Sequence, residues 1–204
     1  MAGLRPQPPA GYGGLTSLCV EHDGGHEGEM ETGQVPNLAE VADRLAIQDV
    51  LAQHSRGVDR ACEATLKSAY WPDAEVAYGG FNGPAHQFCE TLPAGIKRYA
   101  ATQHSITNVA IDLRGDEARV ETYVTAYHYL AGEAEDESDT EMTYIGRYLD
   151  RMEKRGDVWK IAHRRVVMDW NQNAAATAIL EGPPFDGLAR GKRHPDDPLY
   201  EHLA

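Results

Sequence analysis

One continuous amphipathic stretch, LAEVADRLAIQDVLAQHSRGVD over Leu38 to Asp59, constrains this chain most. Leu38, Val41, Leu45, Val50 and Leu51 recur close to helical period, so one side is apolar and needs a large covering surface. Asn37 stands at the cap position, and Glu40 three residues on completes a capping box. Asp43, Arg44, Gln48 and Gln53 fall on the wet side, and Gly57 is the expected terminator. Asp59 then lies directly behind a buried helix end. There it either points into the space the helix covers or caps a second helix beginning near Arg60.

The rest of the chain supplies that surface. A short helix over 60–71 should stop at Trp71-Pro72-Asp73, because proline disfavours helical geometry in the residue before it. A brief strand over 75–78 is broken by Gly79-Gly80, and a helix over 85–99 is shortened near Pro93. The period then changes from helical to alternating. Strands are expected over 105–113, 119–130, 141–152 and 158–170, with turns at Arg114-Gly115-Asp116 and Arg155-Gly156-Asp157. Val120, Thr122, Val124, Ala126, His128 and Leu130 share one face of the second of these strands, and Tyr123, Tyr127 and Tyr129 the other. Acidic residues 133–139 form a solvated connection. Helices gathered ahead of antiparallel strands define an α+β class.

Composition bounds the partners. The 204 residues suit one domain with tails: an irregular Gly/Pro-rich extension over 1–36, a folded domain over 37–172, and a polar tail over 173–204 with at most one helical turn near 174–180. A formal net charge of -13 argues against nucleic acid, since no basic stretch would repay phosphate contact. No apolar run has membrane-spanning length and no secretory pattern opens the chain, so the cytoplasm is the default. Cys19, Cys62 and Cys89 are too widely spaced for a metal or redox pair and read as free thiols, two of them in the core. His22 and His26 lie among acids and glycines that fix no ligand geometry. No phosphate-gripping glycine loop or zinc helix motif occurs, so neither nucleotide nor catalytic metal is implied.

Several phrases, in this order, carry a resemblance: RLAIQDVLAQHSRGVD, WPDAEVAYGG followed by GP, QHSITNVAIDL and GDVWKIAHRRV. Together they resemble the SnoaL-like branch of the NTF2-like superfamily over about residues 38–172. That branch includes hexachlorocyclohexane dehydrochlorinase, bile-acid dehydratase and scytalone dehydratase. The resemblance implies a cone in which a strongly curved, mostly antiparallel sheet and N-terminal helices enclose an apolar pocket. It also implies a homodimer or homotrimer and no cofactor. Asp59 and His104 match the positions of the family's catalytic Asp-His dyad. His54 stands where the dehydrochlorinase has lysine and the bile-acid dehydratase tyrosine, all three able to donate a hydrogen bond to a leaving group. Arg164 corresponds to a pocket arginine.

Period two places Arg164, Val166, Met168 and Trp170 on one face of the last strand, opposite Trp159, Ile161, His163 and Arg165; a bulge would exchange them and make Arg165 the candidate. Tyr78 and Tyr144, with Met168 and Trp170, are the expected pocket walls, since aromatic residues with polar handles suit a ring-bearing substrate. His128 and His163 are expected in packing or subunit contacts. Three functions fit. The first is a cofactor-free lyase on a small apolar, aromatic or alicyclic hydroxylated substrate, dehydratase-like or C–C cleaving, including release of formaldehyde from an aryl diol. The others are an isomerase or cyclase and a binding module without turnover. Fold alone does not choose among them.

Overall fold

The computed structural model describes residues 33–132, 138–180 and 182–204, so His22, His26, Cys19 and most of the expected extension and acidic connection lie outside it. Helix α1 (Leu38–Asp59) starts at the predicted capping box: Asn37 accepts from the Glu40 amide at 3.0 Å, and the Asn37 amide donates to the Glu40 carboxylate at 2.8 Å. Its buried stripe is Ile47, Leu51, His54, Ser55 and Val58. The expected apolar face runs on through Leu38, Val41 and Leu45, but these three are exposed. Asp43 and Arg44, expected on the wet side, reach back to the sheet. Asp43 accepts from the Trp159 indole at 2.8 Å, and Arg44 donates to the Ile111 carbonyl at 2.9 Å.

Gly57 does not end the helix. A Cβ there would come within 2.9 Å of both the Leu66 side chain and its backbone nitrogen, so this glycine lets α2 (Glu63–Ser68) approach α1 closely. The helix closes one turn later, where Ala61 adopts φ 47° and the Cys62 and Ala61 amides return to the Gly57 and Val58 carbonyls. Asp59 is therefore the last helical residue rather than a cap for the next helix.

Strand β1 (Tyr70–Tyr78) starts where the second helix was expected to continue, and pairs with β2 (Phe81–Pro84) across the Gly79-Gly80 turn. Helix α3 (Ala85–Ile96) follows, then β3 (Ala101–Arg114), β4 (Glu117–Leu130), β5 (Thr140–Arg155) and β6 (Val158–Ala175). All four long strands outrun their predicted lengths. The sheet order is β2-β1-β6-β5-β4-β3, antiparallel except for β1 beside β6. On β4 the alternation holds: Val120, Thr122, Val124 and Ala126 are buried while Tyr123 and Tyr127 are exposed.

The sheet is open, which corrects the expected strongly curved cone. Its edges, β2 and β3, do not pair with each other. One edge is only four residues long and ends at Pro84, which has no amide to donate; the other is covered by α1. Helices are not confined to the front of the chain either. α3 is inserted between strands, and α4 (Pro198–His202) follows the last one, whereas residues 176–180 are irregular and the expected turn at 174–180 is absent.

The core between helices and sheet is built from Ile47, Leu51, Leu66, Tyr70, Val76, Phe88, Val120, Met152, Trp159 and Ile161. Cys62 and Cys89 are free and buried. No described helix is long and apolar enough to cross a membrane.

Candidate active site

Two register shifts in β6 decide which side chains reach the interior. Arg151 pairs with His163 but Met152 with Ile161, leaving Ala162 as the extra residue. This bulge places Trp159, Ile161 and Arg164 on one buried side, where strict alternation would have opposed them; Arg165 is exposed. Farther on, Gly146 pairs with Met168 but Ile145 with Trp170, so Asp169 is skipped and Trp170 turns to the other face. Trp170 is 53% exposed and does not line the cavity described below.

The last residue of α1 and the start of β3 meet beside a cavity of about 490 Å³. Asp59 accepts from the His104 amide at 2.9 Å through one oxygen and contacts His104 Nδ1 at 2.8 Å through the other. Both side chains are largely withdrawn from solvent. A carboxylate so placed selects the tautomer with the proton on Nδ1 and leaves the Nε2 lone pair as the ring's reactive atom. His104 lines the cavity with Val58, Tyr78, Gly79, Leu92, Gly95, Ile96, Arg98, Tyr99, Ala126, His128, Met142, Tyr144, Tyr148, Val166 and Met168. The wall is mostly apolar. Burial first, then the charge of His104, lowers the His128 pKa, so that imidazole, 5.6 Å from His104 between ring centres, is held neutral.

Tyr78, Tyr144 and Met168 are thus in the wall. The Tyr144 hydroxyl donates to the Val167 carbonyl at 2.7 Å, with its pKa pushed up to about 12 by burial, so it offers a ring face more than a donor. Burial raises the pKa values of both the Tyr78 and the Tyr148 hydroxyls, keeping them neutral donors.

His54 and Arg164 do not line the cavity. They lie one layer behind it, on the far side of Tyr148. The His54 ring is fully buried, edge-on to Tyr148 at 5.7 Å and to Tyr70 at 5.6 Å, and neither of its nitrogens has a protein partner. Burial, then the charges of Arg164 and His104, drives its pKa well below the usual imidazole range. Arg164 makes a two-pronged contact with Asp150, Nε to Oδ1 at 2.7 Å and Nη2 to Oδ2 at 2.6 Å, and lies 4.0 Å over the Tyr148 ring. Burial works against its charge, but Asp150 more than reverses that and raises its pKa. Tyr148 and His128 were not singled out as pocket residues from sequence. Tyr148 shares the period-two face of β5 with Tyr144, Asp150 and Met152, a usable signal; His128 shares the β4 face with Ala126.

Among the described residues, no group of three or more His, Cys, Asp or Glu side chains is arranged to hold a metal ion. A helix-delivered carboxylate fixing a histidine at the mouth of an apolar cavity, on an open α+β sheet of this strand order, defines an NTF2-like pocket protein. The SnoaL-like domain matches residues 39–165, more than half of the chain, and the protein belongs to that family.

An uncharacterized protein of Mycobacterium tuberculosis is 25% identical over 132 residues, which cover 63% of this chain and 86% of that protein. Among solved structures, hexachlorocyclohexane dehydrochlorinase from Novosphingobium barchaimii superposes with a TM-score of 0.60 at 24% identity, covering 72% of this chain and 100% of that one. A putative scytalone dehydratase from Novosphingobium aromaticivorans gives a TM-score of 0.58 at 23% identity, over 70% and 97% of the two chains. At these identities the likeness is one of fold.

Proposed function

We propose that the protein is a cofactor-independent lyase, dehydratase-like in its chemistry, acting on a small alicyclic or aromatic hydroxylated molecule. The observation that carries this reading is His104, which borders the cavity while its Nδ1 and backbone amide are both fastened to Asp59. Nε2 takes a proton from a carbon beside an activating group, and the carboxylate stabilises the resulting imidazolium. The electron pair of the broken C–H bond forms the double bond, and hydroxide leaves as water on receiving a proton from the hydroxyl of Tyr78 or Tyr148, both of which line the cavity. His104 returns its proton to solvent or to that tyrosinate. The names of the structural relatives, a dehydrochlorinase and a putative dehydratase, support elimination as the reaction class.

A cavity of about 490 Å³ suits a substrate of one or two fused rings. The test is a screen of alicyclic and aryl alcohols and β-hydroxy ketones, followed by ultraviolet detection of the new double bond, with wild type and His104→Ala in parallel. Products formed by wild type alone support the reading. Ligands that bind without turnover by either form would make this a binding module instead.

A further inference from the structure

We propose that Arg193, in the C-terminal segment, is a positioning residue for the dyad, holding the end of α1 against the start of β3 so that Asp59 meets His104. This rests on the dyad reading above. One guanidinium serves three elements. Nη1 donates to the Asp59 carbonyl and, at 2.8 Å, to Thr102 Oγ1; Nη2 donates to the Tyr99 carbonyl at 2.9 Å and the Ile96 carbonyl at 3.4 Å. Asp59 and Ile96 are the last residues of α1 and α3, so a cation stands at the carbonyl-bearing ends of two helices, where its charge is favourable. Thr102 is two residues before His104 on β3. The clamp therefore grips the backbone of one dyad member and the strand that carries the other.

Arg193 is not needed to fasten its own segment. Asp197, buried, accepts from the Lys192 and Leu199 amides at 2.6 and 3.0 Å and lies 3.4 Å from Arg60 Nε. The His194 amide donates to the Arg60 carbonyl at 2.7 Å. These contacts present Arg193 from a turn already closed. Burial lowers the Arg193 pKa, and the negative charge of Asp59 opposes that shift, so the cation sits half-buried beside the carboxylate it supports. A planar fork satisfies diverging acceptors that a lysine ammonium on a flexible stem cannot span together.

The test reads the dyad without needing a substrate. In nitrogen-15-labelled full-length protein, the downfield His104 Nδ1 proton, assigned by its loss in His104→Gln, is followed for exchange with water. Arg193→Ala is expected to speed that exchange by tenfold or more at a fixed interval below its own melting temperature, with guanidinium ion in the buffer slowing it again and Arg193→Lys intermediate. Unchanged exchange in a folded Arg193→Ala, even with a lowered melting temperature, overturns the proposal. If Arg193→Ala does not fold, Arg193→Lys exchanging at the wild-type rate overturns it. A wild-type protein lacking the signal, or one whose signal ignores Asp59→Asn, would instead sink the dyad reading itself.

Discussion

Replacing His54 by leucine should change how stability responds to acid. The ring is fully buried, has no protein partner for either nitrogen, and is held neutral with a pKa well below 6.5 by burial, Arg164 and His104. In the unfolded chain the same imidazole titrates near 6.5. A depressed folded value means that the unfolded state binds more protons as pH falls through 6.5, so stability is full above that value and is lost below it. Between about pH 7.5 and about pH 5.5, protonation of the unfolded His54 favours unfolding by about 1.4 kcal/mol, provided the folded ring stays neutral. The other titrating groups, His128 among them, are common to both proteins and cancel in the difference. Urea unfolding curves at those two pH values, fitted for wild type and His54→Leu, should therefore show wild type losing about 1.4 kcal/mol more than the variant on acidification. Parallel losses would mean that His54 is protonated in the folded protein or reachable by solvent, and the buried-layer account would be wrong.

Gly57→Ala should destabilise despite the better helix propensity of alanine. The added Cβ meets Leu66 backbone at 2.9 Å, and overpacking of about 1–3 kcal/mol outweighs a gain of about 1 kcal/mol. A raised melting temperature would refute that. Asp150→Ala leaves Arg164 charged in a fully buried site and should cost about 3–5 kcal/mol, whereas the double change Asp150→Leu with Arg164→Met should cost less than half as much. Equal losses in denaturant titrations would show that the pair, rather than the stranded charge, sets the stability.

Periodicity and turn chemistry made the long strands and α1 legible in the sequence, because alternation on β4 and the Asn37–Glu40 box are local signals. What the sequence misplaced was set by neighbours. Gly57 looks like a helix stop until Leu66 is packed against it. Trp170 seems to share a face with Met168 until Asp169 is skipped in the ladder. The cone failed as an expectation because edge pairing is a property of the whole sheet, and nothing local in β2 or β3 announces whether they meet. At the candidate site, Asp59 and His104 could be named from matched phrases, but Arg193 could not. Its acceptors are mostly backbone carbonyls far away in sequence, which leave no residue-type signal.

The central claim is that His104, oriented by Asp59, removes a proton in the step that forms product. The most direct measurement is single-turnover kinetics on the substrate found by screening, with protium or deuterium at the carbon losing its proton. Wild type should show a primary isotope effect, and His104→Ala should lose on the order of 10² to 10⁴ in rate. Asp59→Asn should bind the substrate as wild type does and turn it over far more slowly. A His104→Ala enzyme retaining turnover within about tenfold of wild type would contradict the account.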